Sequence, residues 1–231
     1  MEDRRTAVPF DPEHFARREQ AGEVLSPLER FRYIYHAHHW QGSVSPSGAG
    51  AAPDQTLGVQ ALLPELCRTL GIQTLLDLPC GDFSWMSRVP LDGVQYIGGD
   101  LVPELVEADQ RTFGGNQRSF QVLDLTTSRL PPADLLLCRD CLVHLSVDDI
   151  RRAIRNVQRS GVRFLLTTTF PAQSENVDIA TGDWRPLNLE RSPFVFPPPQ
   201  AIFNEGCTEG DGRFTDKSLA LWRVSELPVA E

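Results

Sequence analysis

Cysteine is scarce in this 231-residue chain: Cys67, Cys80, Cys138, Cys141 and Cys207, an odd number thinly spread. A chain of this length encloses a core without covalent staples, so a disulfide framework is excluded and reduced thiols are expected. Cys138 and Cys141 form C-R-D-C. A zinc site needs a second pair, or two histidines at ligand spacing, and none follows, so no metal site is expected. A redox pair is the rival reading of these two thiols, and semi-buried cysteines after a strand the ordinary one. Long apolar runs are missing as well. None approaches the roughly 18–20 residues of a membrane span, and Met1-Glu2-Asp3-Arg4-Arg5 opens on polar sequence rather than a signal peptide's apolar core. A cytoplasmic protein is expected. Cations are also in deficit, 22 Lys+Arg against 31 Asp+Glu for a net charge of −9. That excludes a general electrostatic hold on nucleic acid or an anionic membrane. The local cluster Arg151, Arg152, Arg155 and Arg159 shares one helix face, the usual mark of a solvated surface.

What is present divides into three textures. Residues 1–55 are polar and aromatic, with a helix expected over Pro27–His38 and a run of rings at Tyr33, Tyr35, His36, His38, His39 and Trp40. The small-residue stretch Gly42–Ala52 that follows is either a flexible linker or a loop that orders over a ligand, since Gly- and Ser-rich backbone approaches anions closely. We read residues 1–55 as an N-terminal cap or lid and 56–231 as the main domain. Residues 171–200 hold six of the 18 prolines and form an irregular insertion.

Between them, residues 56–170 alternate strand and helix signals. Leu57, Ala61, Leu62, Leu66 and Leu70 keep helical spacing up to Gly71, with Pro64 marking a kink or a later start. Short apolar runs at Thr74–Leu78, Val94–Leu101, Ser119–Leu125, Asp134–Cys138 and Val162–Phe170 predict buried strands. A helix is expected from Pro103 to Gly114-Gly115, and another from the Ser146 cap, with its acid three residues on, to Gly161. Ala201–Asn204 and Leu219–Val224 predict a C-terminal hairpin joined through Glu205–Lys217. The pattern specifies an α/β fold: a Rossmann-like, doubly wound, mostly parallel seven-stranded sheet with helices on both faces and an antiparallel edge hairpin. Ligands of such sheets lie beyond the carboxyl ends of the strands.

Those ends carry chemistry. The first gives Asp77-Leu78-Pro79-Cys80-Gly81-Asp82-Phe83, an acid followed by a glycine turn and an expected helix. Nineteen residues after Gly81, the second strand delivers Asp100, placed to take both hydroxyls of a ribose. The third ends at Asp124-Leu125, where a carboxylate beside an apolar residue could flank an adenine. The fourth delivers Cys138-Arg139-Asp140-Cys141-Leu142-Val143-His144 into the same crevice. A nicotinamide enzyme would need G-x-G-x-x-G under its pyrophosphate, and Pro79, Asp82 and Phe83 spoil that. No G-x-x-x-x-G-K-[ST] loop exists.

Over residues 57–170 the chain resembles the class I S-adenosylmethionine-dependent methyltransferases, with Asp77–Phe83 as the first motif and Asp100 as the ribose acid. It is most similar to bacterial small-molecule or glycan-modifying members with a D-x-P-C-G-D first motif. Cys138–Ser146, the threonine-rich Leu166–Phe170 and Gly182–Leu189 extend the likeness through most of the chain. It departs from the common motif in that Pro79 and Phe83 replace the first and third glycines. The resemblance implies S-adenosyl-L-methionine as cofactor and S-adenosyl-L-homocysteine as product. Asp77, Pro79, Cys80, Gly81, Asp82, Asp100, Leu101, Asp124, Leu125 and Arg139 are the expected cofactor residues. Asp82, Phe83 or Trp85 could face the sulfonium, although packing is the ordinary role of both rings, of Trp85 above all. Arg32 or the small-residue stretch could meet the donor's carboxylate.

His144 is the expected general base, with Asp140 orienting it or acting directly. Trp184, Arg185, Tyr33 and Trp40 are the candidate acceptor contacts. The expected activity is O-methylation of a small polar acceptor such as a sugar, nucleotide-sugar or glycan end, by a monomer or homodimer. Two alternatives are an N-methyltransferase acting on an amine, peptide or protein side chain, and a non-catalytic adenosyl-ligand-binding module.

Overall fold

The computed structural model describes residues 10–40 and 45–228. The N-terminal pentapeptide, positions 41–44 of the small-residue stretch and the last three residues lie outside that set.

Seven strands form one sheet: β1 (Thr74–Asp77), β2 (Gln95–Asp100), β3 (Arg118–Val122), β4 (Leu135–Cys138), β5 (Phe164–Thr169), β6 (Ala201–Asn204) and β7 (Ser218–Arg223). Their order is β3-β2-β1-β4-β5-β7-β6. β1 to β5 pair in parallel, and β7 runs antiparallel between β5 and β6. The expected α/β sheet and its antiparallel C-terminal pair are both present. Strand periodicity explains the two-sided core. Leu76, Leu136 and Leu165 join the layer under helix α5 (Val147–Ser160), which presents Ile150, Ala153, Ile154 and Val157. Leu75, Leu137 and Leu166 join the layer under helix α3 (Pro53–Leu70), which presents Val59, Leu63 and Leu66. Each such leucine contributes roughly 1.5–3 kcal/mol by burial. Helix α4 (Pro103–Phe113) packs beside β2 and β3.

The local signals hold where they were strong. Ser146 Oγ accepts from the Asp149 amide at 3.2 Å, and Gly161 closes α5 at φ 80°. Three readings are corrected. α3 starts at Pro53 and continues past Pro64 to Leu70. β3 stops at Val122 because Asp124 turns the chain, its Oδ1 accepting from the Thr126 amide at 2.7 Å. No α-helix follows the first glycine turn. Met86–Arg88 is a single 3-10 turn, since Phe83 sits at φ 54° and Phe83, Trp85, Met86 and Val89 are all buried without helical spacing.

Before the sheet come α1 (His14–Gln20) and α2 (Pro27–Ala37). A capping box at Ser26 and Glu29 starts α2. Both helices are tied to the segment after β5. Asp183 accepts from the Phe15 and Ala16 amides at 2.7 and 3.0 Å, and Arg30 Nη1 donates to the Thr181 carbonyl at 2.9 Å. No helix among the described residues is long and apolar enough to cross a membrane.

Candidate functional site

β1, β2 and β4 deliver their last residues to one end of the sheet. Asp77 is 2 % exposed and accepts from the Tyr96 hydroxyl at 2.7 Å. Burial pushes its carboxyl up to about 7. The turn that follows is pinned by the Cys80 amide on the Gly99 carbonyl at 2.8 Å. Gly81 occupies φ 57°, and its amide donates to Asp100 Oδ2 at 3.3 Å. A Cβ at Gly81 would lie 2.5 Å from Ser47 Oγ, so this close approach needs glycine. Asp100 Oδ1 accepts from the Val102 amide at 3.0 Å, and burial raises this carboxyl to about 6. Asp109, buried on α4 near Asp82 and Asp100, rises to about 7 by burial and by the charge of those two acids.

All ten expected cofactor positions line a single cavity of about 160 Å³. Within it Asp124 is already committed to its own turn, accepting from Thr126 and from Thr127 Oγ1. Both rings near the first turn are buried in the core, and of the two only Trp85 also borders the cavity. Phe83 packs into the core against Tyr96, Phe113 and Phe120, with centroids 4.9–5.1 Å away. Trp85 borders the cavity and carries the Arg139 guanidinium 5.6 Å over its ring. Arg32 is outside it, paired with Glu104 at 2.9 Å. Pro46, Ser47 and Ala51 bring the described part of the small-residue stretch onto the wall, and Ser47 Oγ accepts from the Asp82 amide at 3.1 Å.

A second cavity of about 180 Å³ adjoins the first, and Trp40, Ser47, Asp140 and His144 border both. His144 is 7 % exposed and stacks on Trp40 with centroids 4.2 Å apart. Its Nδ1 lies 2.9 Å from the Asp183 carbonyl. A carbonyl can only accept, so Nδ1 carries the proton and the lone pair is on Nε2. Burial holds the imidazole down to about 4, which keeps it neutral at physiological pH. Asp140, at φ 52°, is the opposite case. Burial works against its charge, but Lys217 at 2.7 Å and Arg139 at 3.2 Å hold its carboxyl far below the usual range. It is a fixed anion and a poor proton acceptor. Behind it, Arg139 grips Glu205 through Nε at 2.9 Å and Nη2 at 2.7 Å.

The other acceptor candidates separate. Trp40 and Trp184 line the second cavity. Tyr33 lines neither cavity and stacks on His14 near the surface. Arg185 is 1 % exposed and lines neither. Its guanidinium donates to the carbonyls of Leu142, Leu145 and Val177, so it braces the His144 turn rather than facing a ligand. Burial lowers it to about 10. Asp183 caps α1 and aims its carbonyl at His144, and Gly182 donates its amide to the His144 carbonyl at 2.8 Å. The G-D-W-R stretch, expected to read the acceptor, is mainly a clamp, with Trp184 its one ring in the cavity.

Lys217, Glu205, Glu209 and Thr168 were missed. They lie 28–77 residues from the strand-four motif they serve. The available signal was a lysine directly before a buried strand. Among the described residues no three or more His, Cys, Asp or Glu gather in a metal-holding cluster.

No family model matches the chain, and no curated protein is detectably similar in sequence. Solved structures do share the fold. A 1,6-didemethyltoxoflavin-N1-methyltransferase of Burkholderia thailandensis, with 1,6-didemethyltoxoflavin and S-adenosylhomocysteine bound, superposes at TM-score 0.58 with 16% identity, over 87% of this chain and 91% of its own. The N-methyltransferase NodS of Bradyrhizobium japonicum, in complex with S-adenosylhomocysteine, gives 0.57 and 16%, over 82% and 97%. Human N-acetylserotonin methyltransferase in complex with SAM gives 0.52 and 15%, over 86% of this chain, which spans only 56% of that protein.

Proposed function

We propose that the chain is an S-adenosylmethionine-dependent methyltransferase that O-methylates a small polar acceptor such as a sugar, nucleotide-sugar or glycan end. The observation that carries the reading is the junction of two cavities at a neutral His144 whose Nε2 is free to accept a proton. The first cavity fits the donor. It has an acidic lining, a tight turn at Gly81 against Ser47, and a buried acid, Asp100, at the tip of β2. Gly81 and Ser47 would approach the methionine part, Asp100 would accept from the ribose hydroxyls, and Leu101 and Leu125 would flank the adenine. When bound, the donor supplies a methyl group on a positively charged sulfur.

The protein's own contribution is alignment, water exclusion and one proton transfer. As the acceptor oxygen bonds to carbon, its proton passes to His144 Nε2, while the Asp183 carbonyl keeps the ring in the accepting tautomer. Asp140 stabilises the resulting imidazolium and does not itself take the proton.

Thermal shift is the first test. S-adenosylhomocysteine should raise the midpoint and NAD should not. Methyl-labelled donor with a broad acceptor panel is the second. Donor binding without any transfer would favour the non-catalytic module, and transfer to amines that survives His144→Ala would favour the N-methyltransferase.

A further inference from the structure

The second cavity has a composition of its own. Phe170, Trp184 and Phe214 form an edge-to-face triad with centroids 5.1–6.2 Å apart, and Phe10 and Trp40 add two more rings to the lining. The charged groups facing it are Asp140, Glu209 and Lys217, with His144 neutral. Lys217 is committed to Asp140 at 2.7 Å and reaches Glu209 only at 3.5 Å. Arg139 and Glu205 behind them cancel one another. One negative charge is therefore left over, on Glu209, whose nearest partners are that ammonium and the Cys207 thiol, each at 3.5 Å. Its side chain is 27% exposed, beside Gly210, where a Cβ would meet the Phe214 ring at 2.7 Å. The Trp40 indole nitrogen is buried with no partner among the described residues.

A surplus carboxylate opposite aromatic faces is the recognition chemistry of an ammonium group. We propose that the acceptor is a hydroxyl-bearing ring that carries a protonated amine, its ring against Trp184 and Phe214 and its ammonium at Glu209. This rests on the reading of the second cavity as the acceptor site, and it narrows that reading. An anionic acceptor, a nucleotide-sugar included, would bring its charge against Glu209 and Asp140 with the local lysine already spent.

The test uses two probe series matched within each ring type. Tyramine, tyrosol and 4-hydroxyphenylacetate supply a phenol, and glucosamine, methyl glucoside and glucuronate a pyranose. Binding to the full chain saturated with S-adenosylhomocysteine is followed through the Trp184 indole N–H resonance. In one series the cationic member should bind about tenfold tighter than the neutral one, with the anion weakest. Glu209→Gln should erase that order while leaving S-adenosylhomocysteine affinity within twofold, and the responding series identifies the ring. Equal binding, a preference for the anion, an order that survives Glu209→Gln, or no response to either series would overturn the proposal. Should S-adenosylhomocysteine fail to bind while the cationic probe still perturbs Trp184, the methyl-transfer reading falls and the cation site stands.

Discussion

On the β1–β2 side of the site, Asp77, Asp100 and Asp109 are buried with amides and a tyrosine for company, and burial pushes all three carboxyls up. On the β5–β7 side, Asp140 and Glu205 are buried against Lys217 and Arg139, and the paired cations keep Asp140 ionised. Buried carboxylates thus serve two purposes. The first group holds back charge that a cationic ligand would draw out. The second spends its charge on holding the floor in place, leaving only Glu209 in surplus. His144 sits between them, made neutral by burial.

The sharpest way to break this division is His144→Ala. Turnover of any accepted substrate should fall by about 10²-fold or more, with S-adenosylhomocysteine affinity by calorimetry within a few-fold of the parent. A parallel loss of donor affinity would make His144 part of the donor side instead. Next in size is Asp100→Ala. Losing an ionised acceptor of ribose hydroxyls should weaken S-adenosylhomocysteine by roughly 10- to 100-fold, from about 1.5–3 kcal/mol for charge-assisted hydrogen bonds.

The same acid sets a pH dependence. Its carboxyl, raised to about 6, is protonated below that value. Donor affinity should therefore rise as pH goes from 5 to 7.5, and the ligand-free fold should lose stability as pH rises through the raised values of Asp77 and Asp100. A flat affinity profile, or one unchanged in Asp100→Asn, would remove Asp100 from the account. The smallest expected effect is Asp183→Ala, which uncaps α1 and should cost about 1–2 kcal/mol in urea unfolding.

The lining of the first cavity was legible in the sequence because each acid lies at or within two residues of the end of a short, continuous apolar run. Asp77, Gly81, Asp100 and Asp124 line it in chain order for that reason. The lining of the second cavity was not. Lys217 and Glu205 meet Arg139 and Asp140 only through the loop between β6 and β7, and no local pattern announces a pairing across 66 or 77 residues. Arg185 misled for a related reason. A charged residue next to tryptophan in a polar stretch reads as a ligand contact, while the three carbonyls that consume its donors are set by tertiary packing. Phe83 and Trp85 both pack in the core as expected, but without the helix expected to orient them, and Trp85 alone reaches the cavity.

Asp183 serves two structures with one residue: its side-chain carboxylate fastens α1, and its main-chain carbonyl selects which imidazole nitrogen of His144 carries the proton. Damage to α1, far from the reacting atoms in sequence, would thereby be transmitted as a change of tautomer. A mutational scan scored on product alone would then flag surface positions of the first helix as though they belonged to the chemistry. Imidazole nitrogen shifts would separate that transmitted effect from a direct one.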